Sequence, residues 1–119
     1  MSGFNAYQET AVTTQNQGRL VVLLYEGAIK FCKLAIKELE AENYEAKGRY
    51  INRACDIIQE LDTVLDMEAG QEVAANLHRL YDFMYEQLSL ANMHKDTQQI
   101  REVIELLEEL NDGWKAITQ

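Results

Sequence analysis

The feature that most constrains this chain is the recurrence of apolar residues at steps of three and four along most of its length. Residues spaced in this way lie on one face of an α-helix. The chain also contains no proline. Proline interrupts helices because it lacks an amide hydrogen and its ring clashes with the preceding turn. A chain of 119 residues with this pattern is therefore expected to form one all-α domain with long helices and a single core.

The recurrence falls into separate segments that mark individual helices. It predicts four helices, with approximate bounds 18–41, 43–66, 70–94 and 97–117. Asn43 is placed to cap the second helix, the period breaks near Gly70, and Asp96 with Gln99 has the spacing of a capping box. Because short connections make sequential helices antiparallel, the predicted fold is an antiparallel up-down four-helix bundle.

The N-terminal segment does not follow this pattern. Residues 1–17 are rich in Ser, Thr, Gln and Asn, and their apolar residues Phe4, Tyr7 and Val12 are isolated. A segment without a period gives no helical face to bury. We therefore predict a mobile N-terminal arm over residues 1–17 and a bundle domain over residues 18–119.

Charge and composition restrict the partners and the compartment. The net charge is −9, of which residues 1–60 carry −1 and residues 61–119 carry −8. Such a surface disfavours nucleic acid and anionic membranes, both of which attract positive proteins. The longest apolar run, 20–24, is far shorter than the roughly 20 residues of a membrane span. With no secretory signal pattern, the sequence predicts a cytoplasmic protein without membrane insertion.

The residues that usually carry catalysis or bind metals have no recognisable arrangement. A di-metal bundle needs Glu-x-x-His motifs, whereas His78 and His94 each follow an alanine at the third residue before. Cys32 and Cys55 lie on predicted core faces, where free cysteine behaves as a small hydrophobe. We therefore expect no metal, no cofactor and no enzymatic activity.

One alternative stays open, a histidine phosphotransfer bundle that uses His78. Leu80, two residues further on, resembles the phosphotransfer pattern. That pattern continues with Lys and Gly, whereas this chain has Tyr81 and Asp82. The Asp82 carboxylate would repel a phosphoryl group, so a surface role for His78 is the more ordinary interpretation.

The helices carry more apolar residues than a four-helix core requires, which is about three per heptad. Some of the excess could widen the core. The remainder predicts an exposed apolar groove for another helix or an extended peptide. The candidate partner-binding residues lie on the first two predicted helices; they are Val22, Tyr25, Ile29, Tyr50, Ile57 and Val64.

Several segments together resemble a known family. They are Ala6-Tyr7-Gln8, the Leu-Tyr-Glu-Gly-Ala-Ile segment at 24–29, Leu65-Asp66-Met67-Glu68 with Gly70, and the run 103–110 followed by Trp114. In order and spacing, they resemble the FliS family of flagellin export chaperones over essentially the whole chain. One departure is 15–19, Gln-Asn-Gln-Gly-Arg, where members of the family often carry Ser-Pro-Glu.

The resemblance implies a function that the residue pattern alone does not specify. It implies a cytoplasmic bundle that binds the C-terminal segment of flagellin, prevents premature polymerisation and aids delivery to the export gate of the flagellar type III apparatus. In the family, an N-terminal tyrosine covers the hydrophobic site and moves aside, and Tyr7 occupies that place here. The resemblance leaves the oligomeric state unspecified.

Overall fold

The computed structural model contains four helices, in agreement with the predicted bundle. They are α1 (Gly3–Glu40), α2 (Tyr44–Thr63), α3 (Met67–Met93) and α4 (Gln98–Thr118). The structure describes the backbone of residues 3–65 and 67–118, and the side chains of residues 17–65 and 69–118. None of the helices, within the described ranges, is long and apolar enough to cross a membrane.

The first helix is longer than the sequence pattern indicated. It begins at Gly3, whereas the apolar period predicted a start near residue 18. Extending an existing helix adds one hydrogen bond for each residue that is fixed and needs no new nucleation, and no proline interrupts residues 3–17. The side chains of 1–16 lie outside the described residues, so the mobility and covering role of the arm stay predictions.

The helices form a ring in which each one contacts its two neighbours. Helix α1 packs against α2 and α4, and α3 packs against the same two helices. Lys33 lies 3.6 Å from Glu108, and Glu40 lies 3.4 Å from Arg101. As the residue number increases along α1, the number of the facing residue on α4 decreases, so the two helices are antiparallel.

The two ends of the bundle differ. One end holds the α1–α2 and α3–α4 connections. The other, which we call the open end, is formed by Gly18, residues 64–65 and 69–73, and Thr118; here Gly18 packs against Thr118. The open end carries a single helix connection and several helix termini, so apolar residues at these termini have few neighbours to bury them.

The core between the helices is apolar and continuous. Its large side chains with less than 2% exposure are Tyr25, Cys32, Ile51, Ile58, Leu61, Met84, Leu88, Ile100, Val103 and Leu107. Both cysteines are free and buried. Burial raises the pKa of the Cys32 thiol to about 12 and that of Cys55 to about 11. The thiols therefore remain protonated near neutrality, as expected for packing residues.

The caps at the helix starts agree only in part with the prediction, because α4 begins at Gln98 and Thr97 accepts its first backbone bond, so Asp96 lies one residue before the cap. Asn43 is the N-cap residue of α2, yet its side chain forms no cap hydrogen bond. At the start of α4, Oδ1 of Asp96 accepts a hydrogen bond from the Gln98 amide at 2.9 Å. The reciprocal half of the capping box is absent from the described contacts, since Oε1 of Gln99 is buried without a partner there.

Helix α3 is interrupted near its beginning. Gln71 has φ 46° and ψ −117°, a conformation that costs a non-glycine residue on the order of 1–3 kcal/mol. The neighbouring Gly70 is needed for a different reason, because a Cβ there would lie only 2.7 Å from the Cβ of Ala74. The turn expected at Gly70 is therefore a break inside α3, one residue later.

Candidate functional site

An apolar cavity of about 300 Å³ lies at the open end of the bundle. All four helices contribute to its wall. The lining residues are Val21, Leu61, Val64, Leu65, Ala69, Gly70, Val73, Ala74, Leu77, Tyr81 and Trp114. No lining side chain carries a charge, so the cavity offers an apolar ligand a surface without a desolvation cost for ions.

The rim of the cavity is also apolar and is accessible to solvent. Val64 is 38% exposed and Val73 is 66% exposed. Leu20 and Ile117, which are also exposed, lie at the same end of the bundle. Among the residues whose side chains the structure describes, the break at Gln71 and the end of α2 leave this apolar surface accessible. Contiguous apolar surface around a cavity is typical of a site that binds a protein or peptide segment.

Three aromatic residues connect the cavity to the core. Tyr81 and Trp114 line the cavity, and Tyr25 lies beneath them with 0% exposure. The hydroxyl groups of Tyr25 and Tyr81 are hydrogen-bonded to each other. The Tyr25 ring centroid lies 6.4 Å from that of Tyr81 and 6.5 Å from that of Trp114. Burial raises the pKa of the Tyr25 and Tyr81 phenols, so these two side chains beside the cavity stay uncharged.

The candidate residues from α2 lie along the seam between α1 and α2. Tyr50 is half-buried and stacks on Phe31, with ring centroids 6.1 Å apart. Ile57 is half-buried against Gly27, where an added Cβ would lie 3.3 Å from its Cδ1. Val64 alone of these three lines the cavity. Much of the apolar excess on α2 therefore widens the core instead of forming a groove.

The candidate residues from α1 point in different directions. Val22 and Ile29 are half-buried, and Ile29 lines a different groove. Tyr25 is a core residue, so its side chain is not available as a surface contact in this structure. Tyr7 lies outside the residues whose side chains are described. The structure thus does not bring Val22, Tyr25 and Ile29 together into one surface.

The sequence pattern missed several residues of the cavity. The apolar period assigns Val21, Leu65, Val73, Leu77 and Trp114 to the apolar faces of their helices, so the pattern does not distinguish them as binding residues. A usable signal was the position of Leu65 and Val73 on either side of the break in the period. Apolar residues that flank a turn lie at the end of a bundle, where fewer neighbours can bury them.

A larger groove of about 840 Å³ lies between α1 and α4, but its character is different. Its charged lining residues are Glu26, Lys30, Lys33, Lys37, Glu108, Asp112 and Lys115. An apolar segment that entered this groove would displace water from ammonium and carboxylate groups. Size therefore does not make this groove the better candidate for an apolar ligand.

The environment of His78 disfavours phosphotransfer. Nδ1 lies 2.8 Å from one carboxylate oxygen of Asp62 and 2.9 Å from the other. Nε2 lies 3.4 Å from Oδ2 of Asp82. A phosphoryl group on either nitrogen would face a carboxylate and would be repelled.

The fold and the cavity together define a class of protein. A helical bundle with an uncharged cavity at one end, an apolar rim and unreactive buried thiols is suited to bind an apolar segment of another molecule. These features define a helical binding protein, and the described residues show no grouping typical of a catalytic site.

Comparison with known proteins gives the family. The family model described as "Flagellar protein FliS" matches residues 1–119, and the chain belongs to this family. It is 35% identical over 116 residues to the flagellar secretion chaperone FliS of Bacillus subtilis, covering 98% of this chain and 86% of the relative. It is 38% identical over 122 residues to the Salmonella typhimurium protein of the same name, covering 98% and 90%.

A third relative gives the same result. The flagellar secretion chaperone FliSB of Pseudomonas aeruginosa is 37% identical over 122 residues, covering 99% of this chain and 97% of the relative. These proteins are named as chaperones, which are not enzymes. The family membership confirms both the predicted resemblance and the expectation that this chain is not an enzyme.

Proposed function

We propose that this chain is a cytoplasmic export chaperone for flagellin, which binds the C-terminal segment of flagellin at the open end of the bundle. It thereby prevents premature polymerisation and aids delivery to the export gate of the flagellar type III apparatus. The observation that carries this proposal is the apolar cavity with its exposed apolar rim. The names of the relatives, flagellar secretion chaperones, support the same class of client.

The mechanism follows from burial of apolar surface. A terminal segment self-associates because the contact between copies removes apolar side chains from water. If those side chains enter the cavity and cover its rim, self-association no longer gains that free energy. Ordering a disordered segment costs about 2–5 kcal/mol. A contact that extends beyond the cavity offsets this cost.

The residues predicted from the sequence take different roles in this proposal. Val64 contacts the client directly, because it lies on the rim of the cavity. Val22, Tyr50 and Ile57 are half-buried and supply additional apolar surface for a segment that continues along the bundle. Tyr25 acts indirectly, by supporting the Tyr81 ring from below.

The proposal is tested by placing a charge on the rim. Val73→Asp introduces a carboxylate that the client would have to bury, so the affinity for a flagellin C-terminal peptide should fall at least about tenfold, which is about 1.4 kcal/mol. Met93→Asp is the matched control, because Met93 is a 76% exposed apolar residue of α3 at the opposite end of the bundle. Isothermal titration calorimetry measures both variants against the unmodified chain.

Two results would contradict the proposal. One is equal affinity of the Val73→Asp and Met93→Asp variants, since the cavity would then not be the site. The other is equal binding of full-length flagellin and of flagellin that lacks its C-terminal segment, since the client segment would then lie elsewhere.

A further inference from the structure

Three side chains form one polar group on the outer side of the cavity wall. Asp62 lies on the last turn of α2, and His78 and Asp82 lie one turn apart on α3. Nδ1 of His78 faces both oxygens of Asp62 at 2.8 and 2.9 Å, and Nε2 faces Asp82 at 3.4 Å. The imidazole ring therefore lies between two carboxylates, one from each helix.

This arrangement favours the protonated ring. A neutral imidazole has one N–H donor and one acceptor nitrogen, whereas a carboxylate only accepts. In the neutral state one nitrogen turns its lone pair towards a carboxylate oxygen. The imidazolium donates from Nδ1 to Asp62 and also presents its positive charge to Asp82. The hydrogen bond and charge of Asp62, followed by the charge of Asp82, raise the pKa of His78, while desolvation and the charge of Arg79 lower it more weakly.

The group is directly connected to the cavity wall. Leu61, Leu77 and Tyr81 each precede one of its members in the sequence and line the cavity. Helix α2 ends at Thr63, immediately after Asp62, and α3 is broken at Gln71. The contact between α2 and α3 at this group thus helps to set how far the two helices can separate beside the cavity.

We propose that Asp62, His78 and Asp82 form a proton-dependent staple that holds α2 against α3, so that the chain binds its client more weakly when His78 is protonated. This inference rests on the proposed function for its effect on affinity. The cavity, at about 300 Å³, is at the lower limit of ligand pockets, about 300–1,000 Å³. Several apolar side chains of a client enter only if α2 and α3 separate, and the staple opposes that separation.

The direction of the pH dependence follows from the raised pKa. The staple is fully formed below the ordinary pKa of histidine, about 6.5, and is lost as the pH rises through the raised value. The client should therefore bind more tightly at about pH 8.5 than at about pH 6.

The staple itself is tested without any client. The protonation of His78 is followed against pH by NMR, from the chemical shifts of its ring C–H protons. The buffer contains a chelator, so that a trace metal cannot replace the proton between the carboxylates. Amide exchange of residues 61–65 is then compared between the unmodified chain and His78→Gln. We expect greater protection in the unmodified chain at about pH 6 and a smaller difference at about pH 8.5. A difference of the same size at both pH values would contradict the proton dependence. Equal protection at both pH values would overturn the staple.

The matched control is the second histidine of the chain. His94 lies exposed beyond the end of α3, so His94→Gln should keep the pH-dependent protection of the unmodified chain. Loss of that dependence in His94→Gln would show that a different group is responsible and would also overturn the proposal.

The effect on binding is measured with a flagellin C-terminal peptide at the same two pH values. We expect about fivefold weaker binding at about pH 6 for the unmodified chain and for His94→Gln, and no change for His78→Gln beyond that of the peptide itself. The same pH dependence in all three chains would overturn the link to affinity. If the peptide binds at neither pH, the proposed function is wrong and the link to affinity falls with it, while amide exchange still decides whether the staple exists.

Discussion

The buried hydroxyl group of Tyr25 helps to hold the aromatic residues beside the cavity in place. Its hydroxyl is bonded to that of Tyr81, and its ring packs against that of Trp114, with centroids 6.5 Å apart. A buried hydroxyl without a partner costs about 1–3 kcal/mol. The positions of Tyr81 and Trp114 beside the cavity therefore depend on both the hydroxyl and the ring of Tyr25.

This arrangement predicts a loss of stability from two conservative substitutions. Tyr25→Phe leaves the buried Tyr81 hydroxyl without its partner, so it should lower the free energy of unfolding by about 1–3 kcal/mol. Tyr81→Phe should cost a similar amount, because it leaves the Tyr25 hydroxyl, which is also buried, without its partner. Urea unfolding of both variants and of the double variant measures the losses.

The double variant supplies the control. Once Tyr25 is changed, Tyr81→Phe removes a hydroxyl that has already lost its partner, so the combined loss should be smaller than the sum of the single losses. A combined loss equal to that sum would mean that the two hydroxyl groups do not interact in solution.

At the scale of the helices, the apolar period was sufficient to predict four elements and their antiparallel order, because each stripe needs a partner to bury it. The break at Gln71 was not predictable in the same way. Gln and Glu are good helix formers, so 71–72 carries no local signal for a non-helical residue. The non-helical φ and ψ of Gln71 therefore cannot be predicted from these two residue types.

The break makes Gly70 sensitive to substitution. Gly70→Ala would place a Cβ 2.7 Å from the Cβ of Ala74, and this atom cannot move without its backbone. The variant should lower the free energy of unfolding by about 1–3 kcal/mol, the usual cost of overpacking. Thermal and urea unfolding measure the loss.

Gly113 on α4 is the matched control for this prediction. No atom lies within 4 Å of a Cβ built at Gly113, within the described part of the chain. Gly113→Ala should therefore stabilise the protein by about 0.8–1 kcal/mol through helix propensity. If Gly70→Ala were as stabilising as Gly113→Ala, the close approach to Ala74 would not exist in solution.

At the scale of the whole molecule, the candidate site was harder to predict than the fold. A helical period shows that Tyr25 and Val73 belong to apolar stripes, but not how far each stripe is covered. Val73 is exposed because it lies at the open end, and Tyr25 is buried because α3 and α4 close over it. Both outcomes depend on where helix ends meet, and this is a property of the assembled bundle.

The predicted N-terminal arm also affects the molecule as a whole. If residues 1–15 act as a displaceable cover through Tyr7, their deletion should leave the bundle folded, because the core formed by the described residues from Tyr25 onward already connects all four helices. The affinity for the flagellin peptide should then rise, since the client no longer competes with an internal segment. Circular dichroism and calorimetry of the truncated chain measure the two effects. Unchanged or weaker binding would contradict the covering role.

Trp114 is an intrinsic fluorescence probe at the cavity. It is the single tryptophan of the chain, it lines the cavity, and its ring lies close to that of Tyr25. A client that fills the cavity removes water from the indole, so the emission maximum should move to shorter wavelength without any label. Energy transfer to Trp114 from Tyr25, whose ring centroid lies 6.5 Å away, falls when the bundle unfolds. Occupancy of the site and loss of the fold thus have separate spectral signatures in the unmodified protein.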